Sequence, residues 1–230
     1  MAILITKDLC KTYGSGDNAV HALNHVSLTV EEGEFVSIVG TSGSGKSTFL
    51  NLAGGLDKPT SGEVWVRGHD LGKLNDEQLT IFRRRNIGFV FQNFNLIPML
   101  NVYENITFTL EADALRPDKE FLDGIIHALG LEEKRYTMPD QISGGQQQRV
   151  AIARALATKP ALILADEPTG NLDSKTGLEV ALLLQNSVRK FGQTLIMITH
   201  NEELAQLADR ILHIEDGRIL GKEGDHVPHS

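Results

Sequence analysis

The chain has 230 residues, 41% of them hydrophobic, and carries a formal net charge of −8 at pH 7. This length and composition favour one large globular unit, or one unit with an inserted lobe, over a disordered chain. The acidic balance argues against nucleic acid as the main partner, because affinity for the phosphate backbone needs a concentrated basic surface. The single cysteine, Cys10, excludes an internal disulfide and fits a reducing compartment.

The first ten residues do not resemble a targeting segment. They have no basic start and too short an apolar run for a signal peptide. No later run approaches the roughly 20 apolar residues that cross a bilayer. We therefore expect a cytoplasmic protein that reaches the cytoplasmic face of the membrane only through a partner.

The first part of the chain predicts strands around a glycine-rich loop. Residues 21–40 predict two strands joined by a Glu-Glu-Gly turn, and the second strand runs straight into the loop. The segments that follow predict a helix, a strand, a short helix and a strand, over residues 46–56, 62–68, 76–86 and 87–92.

The middle of the chain turns helical. Apolar residues recur at helical spacing in three segments, over residues 102–115, 118–130 and 144–157. We therefore predict an inserted helical lobe over residues 93–159, with the core formed by residues 1–92 and 160–230.

Strands return after this lobe. Residues 161–166 and 194–200 are short and nearly all apolar, as expected of parallel strands buried on both faces. Residues 174–192, between them, predict a helix that begins after Asp173 or Ser174 as N-cap.

The chain closes with a predicted hairpin. Residues 211–220 alternate around Asp216 and Gly217, a pair typical of tight hairpin turns, and residues 221–230 predict a loose polar tail. The repeated order of strand and helix predicts an α/β fold with a mostly parallel sheet.

One motif carries a specific chemistry. Residues 40–47, GTSGSGKS, match the phosphate-loop pattern G-x-x-x-x-G-K-[ST] in full, between a predicted strand and a predicted helix. Glycines let backbone N–H groups surround phosphates, while Lys46 reaches the β- and γ-phosphates and the Ser47 hydroxyl binds Mg²⁺. The alternative is a glycine-rich turn without a ligand. The predicted nucleotide contacts here are Gly40, Ser42, Gly43, Ser44, Gly45, Lys46, Ser47 and Thr48.

Two carboxylates follow a predicted strand. Asp166 and Glu167 stand at the carboxyl end of residues 161–166, where open α/β sheets bind ligands. Asp166 fits the Mg²⁺-side carboxylate of a phosphate-loop nucleotidase. Glu167 fits a general base that takes a proton from water. The alternative is a solvated turn or a helix cap.

Other candidates have weaker support. His200 and Gln92 each end a predicted strand, where the first fits a γ-phosphate contact and the second a contact to Mg²⁺ or water. Tyr13, before a glycine-rich turn, fits an aromatic that stacks on adenine. Each has a structural alternative: a strand-end histidine, a capping glutamine or a packing tyrosine. Arg83–Arg85 fits a solvated helix face or a site for an acidic partner loop.

A second anion-type site begins the last helix of the predicted lobe. Ser143, Gly144 and Gly145 start this helix, and a helix N-terminus offers free N–H groups and a positive dipole to an anion. The chain already has a phosphate loop, so the purpose of this second site is open on residue chemistry alone.

The whole set of motifs resembles the ATP-binding cassette (ABC) family. Tyr13, GTSGSGKS, Gln92, ISGGQ, LILADE, NLD and His200 follow one another in the order of that family, across essentially the whole chain. The one departure is Ile142, where leucine is usual. The resemblance implies an ABC ATPase fold: a phosphate-loop core with a mostly parallel sheet, an N-terminal antiparallel β-subdomain and an inserted α-helical signature subdomain.

The resemblance also implies roles for single residues. It makes Glu167 the catalytic base and His200 the switch histidine, and it places Asp173 in a loop that crosses between subunits. By resemblance the catalytic residues are Lys46, Gln92, Glu167 and His200, the Mg²⁺ contacts are Ser47, Gln92 and Asp166, and the nucleotide contacts outside the phosphate loop are Tyr13, Ser143, Gly144, Gly145, Gln146 and Asp173.

Members of this family work in pairs. The resemblance implies that two cassettes join head to tail, so that each ATP lies between one phosphate loop and the ISGGQ motif of the other subunit. Hydrolysis removes the phosphate that holds the halves together, which is the two-state element that a transport machine needs. The implied ligands are ATP and Mg²⁺, and the implied partners are a second ABC ATPase subunit, most simply identical, and integral membrane permease subunits.

The branch of the family can be narrowed further. The stretches DEPTGNLDSKTG and GFVFQNFNLIPMLNVYENI resemble the bacterial subgroup that serves lipoprotein release, macrolide and antimicrobial-peptide export or resistance, and cell division. The alternatives are a solute-importer ATPase and, less well supported, a soluble ABC ATPase of DNA or ribosome function. A kinase or GTPase fits poorly, because the chain has no Asn-Lys-x-Asp motif and those enzymes do not need ISGGQ.

Overall fold

The chain folds around two β-sheets. The computed structural model describes residues 1–113 and 117–220, except for the side chain of Asp17. The predicted tail and the end of the predicted helix over residues 102–115 lie outside the described residues. The strands are β1 (Ala2–Tyr13), β2 (Val20–Glu31), β3 (Phe35–Val39), β4 (Ser61–Val66), β5 (His69–Asp70), β6 (Ile87–Phe91), β7 (Leu162–Asp166), β8 (Thr194–Ile198), β9 (Arg210–Glu215) and β10 (Arg218–Leu220).

Six of the seven described helices match predicted segments to within a few residues, and the last, short helix has no predicted counterpart. They are α1 (Lys46–Ala53), α2 (Asp76–Asn86), α3 (Val102–Ala112), α4 (Lys119–Ala128), α5 (Gly144–Ala157), α6 (Ser174–Lys190) and the short α7 (Glu202–Ala205). Asp173 is the N-cap of α6, as predicted, and its Oδ1 accepts a hydrogen bond from the Thr176 backbone N–H at 3.1 Å. Among the described residues, no helix combines the length and hydropathy needed to cross a membrane.

The two sheets differ in strand direction. One is antiparallel, in the order β2-β1-β4-β5. The other has the order β10-β9-β3-β8-β7-β6, with β10 antiparallel at its edge and the remaining five strands parallel. The predicted antiparallel β-subdomain and mostly parallel core sheet are therefore confirmed.

β1 has no counterpart among the predicted segments. Its ladder with β2 shifts register on both sides of Leu9, and Asp8 has φ +50°. Such irregularities interrupt the alternation of inward and outward side chains by which a strand is recognised in a sequence. The two strands predicted over residues 21–40 do exist, but β2 and β3 belong to different sheets.

Apolar cores lie on both faces of the parallel sheet. Leu164 of β7 belongs to a buried cluster with Phe49 of α1, whereas its neighbour Ile163 belongs to a second cluster with Ile106 and Ile152. Because successive strand residues point to opposite faces and both faces are covered, β7 is apolar from Leu162 to Ala165, before Asp166. The helical segment shares one core with the sheet, which fixes α3 and α5 against it.

The arginine stretch is a solvated helix face only in part: the Arg85 side chain is 55% exposed and that of Arg84 29%, and all three arginines bind groups of this chain. Arg83 donates to the Gly55 carbonyl at 2.7 Å. Arg84 and Arg85 bind the two carboxylate oxygens of Asp113 at 2.9 and 2.6 Å. The Asp113 side chain is 6% exposed, at the end of α3, and the hydrogen bond from Arg85, with help from Arg84, lowers the pKa of its carboxyl. These arginines join α2 to the helical segment.

Candidate active site

A cavity of about 780 Å³ opens at the carboxyl ends of the parallel strands, within the size range of small-molecule sites. The phosphate loop after β3 forms its floor, and Gln92, Glu167 and His200 enter it from the ends of β6, β7 and β8. Its lining consists of Val20, His21, Ala22, Ser42, Gly43, Gly45, Lys46, Ser47, Thr48, Gln92, Glu167, His200, Asp216 and Gly217.

Close backbone contacts explain the glycines of the phosphate loop. Gly45, the N-cap of α1, has φ +105°, and a Cβ there would lie 2.3 Å from the Ala22 carbonyl oxygen. A Cβ on Gly40 would lie 2.2 Å from the Ile214 carbonyl oxygen. Only glycine lets the loop pass between these carbonyl groups and begin α1 directly beneath the cavity.

The phosphate loop offers polar groups that can bind a triphosphate. Lys46 is 9% exposed, and its ammonium group donates to the carbonyl oxygens of Gly40 and Thr41, at 2.8 Å each. An ammonium group has three donors, so one remains for an anion. The buried Ser44 hydroxyl has no partner in the described protein. With the N-terminus of α1, these groups fit bound phosphates.

A divalent cation also fits beside the loop. The Ser47 hydroxyl donates to Asp166 Oδ1 at 3.2 Å, and Gln92 enters the same cavity. Hydroxyl, carboxylate and amide oxygens are hard donors of the kind that Mg²⁺ prefers, usually with substrate phosphates completing its shell. Burial raises the pKa of the Asp166 carboxyl, with a contribution from Glu167, while Ser47 and Lys46 oppose the shift. A bound cation would favour the ionised Asp166 carboxylate and so offset the free-energy cost of burying its charge.

Asp166→Asn should therefore stabilise the nucleotide-free protein at neutral pH. The folded state holds the Asp166 proton more tightly than the unfolded chain does, so the ionised carboxylate lowers the free energy of unfolding above the folded-state pKa, and the cost vanishes as pH falls through it. Asparagine still accepts the Ser47 hydrogen bond. Thermal unfolding without Mg²⁺ should show a higher midpoint for the variant, with a difference that shrinks in acid.

The matched control for that measurement is Asp113→Asn. The pKa of Asp113 is lowered by its arginine partners, so its charge stabilises the fold at neutral pH and its loss should lower the midpoint. A lower neutral-pH midpoint for Asp166→Asn would contradict the electrostatic account of Asp166.

Glu167 and His200 form a pair at the mouth of the cavity. Glu167 Oε2 lies 2.8 Å from His200 Nδ1, and the Glu167 side chain is 20% exposed against 73% for His200. Glu167 has φ +47°, a left-handed conformation that is strained for a non-glycine residue and occurs both in turns and at functional sites. With the proton on Nδ1, His200 donates to Glu167 Oε2, and Glu167 Oε1 stays free to accept a proton.

Tyr13 lies next to the cavity but does not line it. It ends β1 opposite Val20, which does line the cavity. Its ring is 43% exposed and its hydroxyl donates to Asp57 Oδ2 at 2.8 Å. Burial and the Asp57 hydrogen bond raise the pKa of Tyr13, so the ring stays neutral and offers an aromatic face.

The ISGGQ residues lie outside the cavity altogether. Ser143 is the N-cap of α5: its Oγ accepts from the Gln146 N–H at 3.3 Å, and the Gln146 side chain accepts from the Ser143 N–H at 2.9 Å. Gly145 packs against Thr176 of α6. Asp173, at the start of α6, also lies outside. One copy of the chain therefore does not bring the two anion-type sites together.

Five residues that line the cavity were not predicted as site residues from the sequence. Val20, His21 and Ala22 enter from β2, and Asp216 with Gly217 enters from the β9–β10 turn. The tight turn was predicted, but its position beside the phosphate loop follows from the pairing of β9 with β3. Asn171, in the NLD motif, binds Gln92; the only signal for this residue was its place within that motif.

Known proteins have sequences similar to that of this chain. A family model described as "ABC transporter" matches residues 23–170. The lipoprotein-releasing system ATP-binding protein LolD of Geobacter metallireducens is 46% identical over 225 residues, which cover 95% of this chain and 98% of LolD. The macrolide export ATP-binding/permease protein MacB of Hyphomonas neptunium is 46% identical over 221 residues, which cover 95% of this chain and 34% of MacB.

A solved structure shares the fold over the full length. The ABC transporter ATP-binding protein MJ0796 of Methanocaldococcus jannaschii is 47% identical over 223 residues, which cover 94% of this chain and 95% of the relative. Its dimeric structure in a post-hydrolysis state, bound to ADP and Pi, superposes with a TM-score of 0.85 at 43% identity, covering 99% of this chain and 100% of that one.

Proposed function

This chain belongs to the ABC transporter family, and from that premise we propose that it is the ATP-hydrolysing subunit of an export-type transporter. It drives an integral membrane partner in lipoprotein release or in the export of macrolides or antimicrobial peptides. One observation carries this proposal: the phosphate loop, Glu167 and His200 meet in one cavity, while the residues of the ISGGQ motif do not line it.

The chemistry divides among the residues of the cavity. The phosphate loop and the free donor of Lys46 hold the triphosphate of ATP. Mg²⁺, held by Ser47, Asp166 and Gln92, would neutralise charge on the β- and γ-phosphates. Glu167 accepts a proton from the attacking water, and His200, held beside Glu167, contacts the γ-phosphate. Tyr13 receives the adenine ring at the rim.

A second copy completes the site. Because Ser143 to Gln146 do not line the cavity of their own chain, they are free to meet the γ-phosphate bound by another cassette. The dimeric structure of MJ0796 bound to ADP and Pi supports a paired assembly. Two identical subunits are the simplest assembly, because the phosphate loop, the carboxylates and the ISGGQ motif are all present in this chain.

The relatives favour export over the alternatives. LolD acts in lipoprotein release and MacB in macrolide export. The MacB chain joins an ATP-binding part to a permease part, which supports a membrane partner for this chain and a place on the cytoplasmic membrane face. A solute importer is the second candidate, and its substrate would be chosen by a different kind of permease.

Purification from native membranes tests this function. The chain, isolated with its bound partners in a mild detergent, should carry a permease with few spans and a large domain outside the membrane. The partner should be identified by mass spectrometry, with Lys46→Ala as a control for nucleotide-dependent association. A many-spanning permease together with a solute-binding protein would instead assign the chain to import.

A further inference from the structure

Asn171, in the loop between β7 and α6, binds the glutamine that enters the cavity. Its Nδ2 donates to the Gln92 backbone carbonyl at 3.0 Å and to Asn93 Oδ1 at 2.9 Å. Its Oδ1 accepts from Gln92 Nε2 at 3.1 Å. The two residues are 79 positions apart in the chain, so this pair ties the loop after Glu167 to the end of β6.

The donors and acceptors of this pair permit only one arrangement. A backbone carbonyl can only accept, so the Asn171 atom that faces it must be the nitrogen. The other Asn171 atom is then the oxygen, and the Gln92 atom that faces it must be a nitrogen donor. The Gln92 side-chain oxygen is thereby turned away from Asn171 and remains available to the cavity.

The surrounding backbone holds the pair in place. A Cβ on Gly170 would lie 2.7 Å from Gln92 Nε2 and 2.9 Å from Gln92 Cδ, so this glycine makes room for the amide. The buried Gln148 of α5 also donates to the Phe91 carbonyl, at 3.3 Å. Both carbonyl groups next to the Gln92 side chain are therefore bound.

We propose that Asn171 is a positioning residue that makes Gln92 present its amide oxygen, rather than its nitrogen, to the phosphate cavity. An amide oxygen can bind a cation or accept a proton from water, whereas an NH₂ group repels a cation. Without Asn171 the Gln92 amide can rotate by half a turn. This inference rests on the proposed function, because it concerns Mg²⁺ at the nucleotide site.

Asn171→Leu tests the proposal, because leucine has a similar volume and no polar atoms. The Glu167→Gln variant serves as the parent, so that ATP is bound without being consumed. The readout is the Mg²⁺ concentration that gives half of the thermal stabilisation by ATP. We expect Asn171→Leu to raise that concentration by about 10-fold or more, as is usual when the partner of a metal ligand is lost. ATP binding without Mg²⁺ should stay at the parent value.

Asn171→Asp separates orientation from loop stability. Its carboxylate still accepts from Gln92 Nε2 but donates to neither the Gln92 carbonyl nor Asn93. If Asn171 acts by orienting the amide, this variant should need no more Mg²⁺ than the parent even if its nucleotide-free melting midpoint falls. A Mg²⁺ requirement raised as far as in Asn171→Leu would overturn the proposal. Asn93→Ala is the matched control, and it should leave the Mg²⁺ requirement unchanged.

A double-mutant cycle with Gln92→Ala tests whether Asn171 acts through the Gln92 side chain. Without the Gln92 side chain, Asn171→Leu should cause no further change in the Mg²⁺ requirement, and a further rise would overturn the proposal. If the parent variant itself binds no ATP, the proposed function fails as well. If the parent binds ATP and responds to Mg²⁺, but Asn171→Leu behaves like it, only the role of Asn171 fails.

Discussion

Glu167→Gln should bind ATP as the unaltered protein does, yet hydrolyse it about 10²–10⁴-fold more slowly, the range usual for loss of a general base. Glutamine has nearly the shape of glutamate, and its Oε1 can still accept the 2.8 Å hydrogen bond from His200 Nδ1. An amide cannot take a proton from water at neutral pH. Binding is measured by calorimetry with Mg²⁺-ATP, and turnover by phosphate release.

Glu202→Gln is the matched control for loss of one carboxylate. Glu202 is exposed at the start of α7 and does not line the cavity, so its variant should hydrolyse ATP normally. If Glu167→Gln also turned over at nearly the normal rate, Glu167 would not be the base. If it no longer bound ATP, its role would lie in binding.

A mixture of two inactive variants should recover hydrolysis. Lys46→Ala removes the ammonium group from the phosphate loop. Ser143→Asp keeps a good N-cap for α5 but sets a negative charge against the partner's γ-phosphate. Each alone should lose about 10²–10³-fold, the usual effect of one missing donor to a developing charge. In a mixed dimer, one composite site contains neither substitution.

The expected recovery follows from random pairing. Equal amounts give mixed dimers in half of the population, each with one intact site out of two, so about a quarter of the wild-type sites reappear. The control places both substitutions in one chain and mixes it with the wild-type chain, which leaves no intact composite site in the mixed dimers. Equal activity in these two mixtures, after correction for wild-type homodimers, would show that the motifs do not act across subunits.

Local spacing singled out residues that the fold brings to one cavity. The phosphate loop needs only eight consecutive residues, and Asp166 with Glu167 needs only an apolar strand before it. Backbone geometry within such short stretches depends on neighbours in the sequence, so Lys46, Ser47 and Glu167 lie in the cavity as expected, with Asp166 beside Ser47. Most helices could be predicted for the same reason, because the spacing of their apolar residues and their capping residues are features of neighbouring positions in the sequence.

Side-chain contacts between residues far apart in the chain could not be predicted from one sequence. The contact of Asn171 with Gln92 depends on the pairing of β7 with β6, and that of Asp113 with Arg84 and Arg85 depends on where α3 packs against α2. Side chains that meet only after folding leave no mark in local spacing. The bulged β1 was missed for a related reason, since its register is set by its partner strands rather than by its own alternation.

The central claim is that ATP joins two copies of this chain, and the mass of Glu167→Gln in solution tests it most directly. Multi-angle light scattering should give the monomer mass of 25.2 kDa without nucleotide. With saturating ATP and Mg²⁺ it should give twice that mass, and Ser143→Asp in the same chain should restore the monomer. A persistent monomer, at concentrations where calorimetry shows ATP bound, would contradict a site shared between two cassettes.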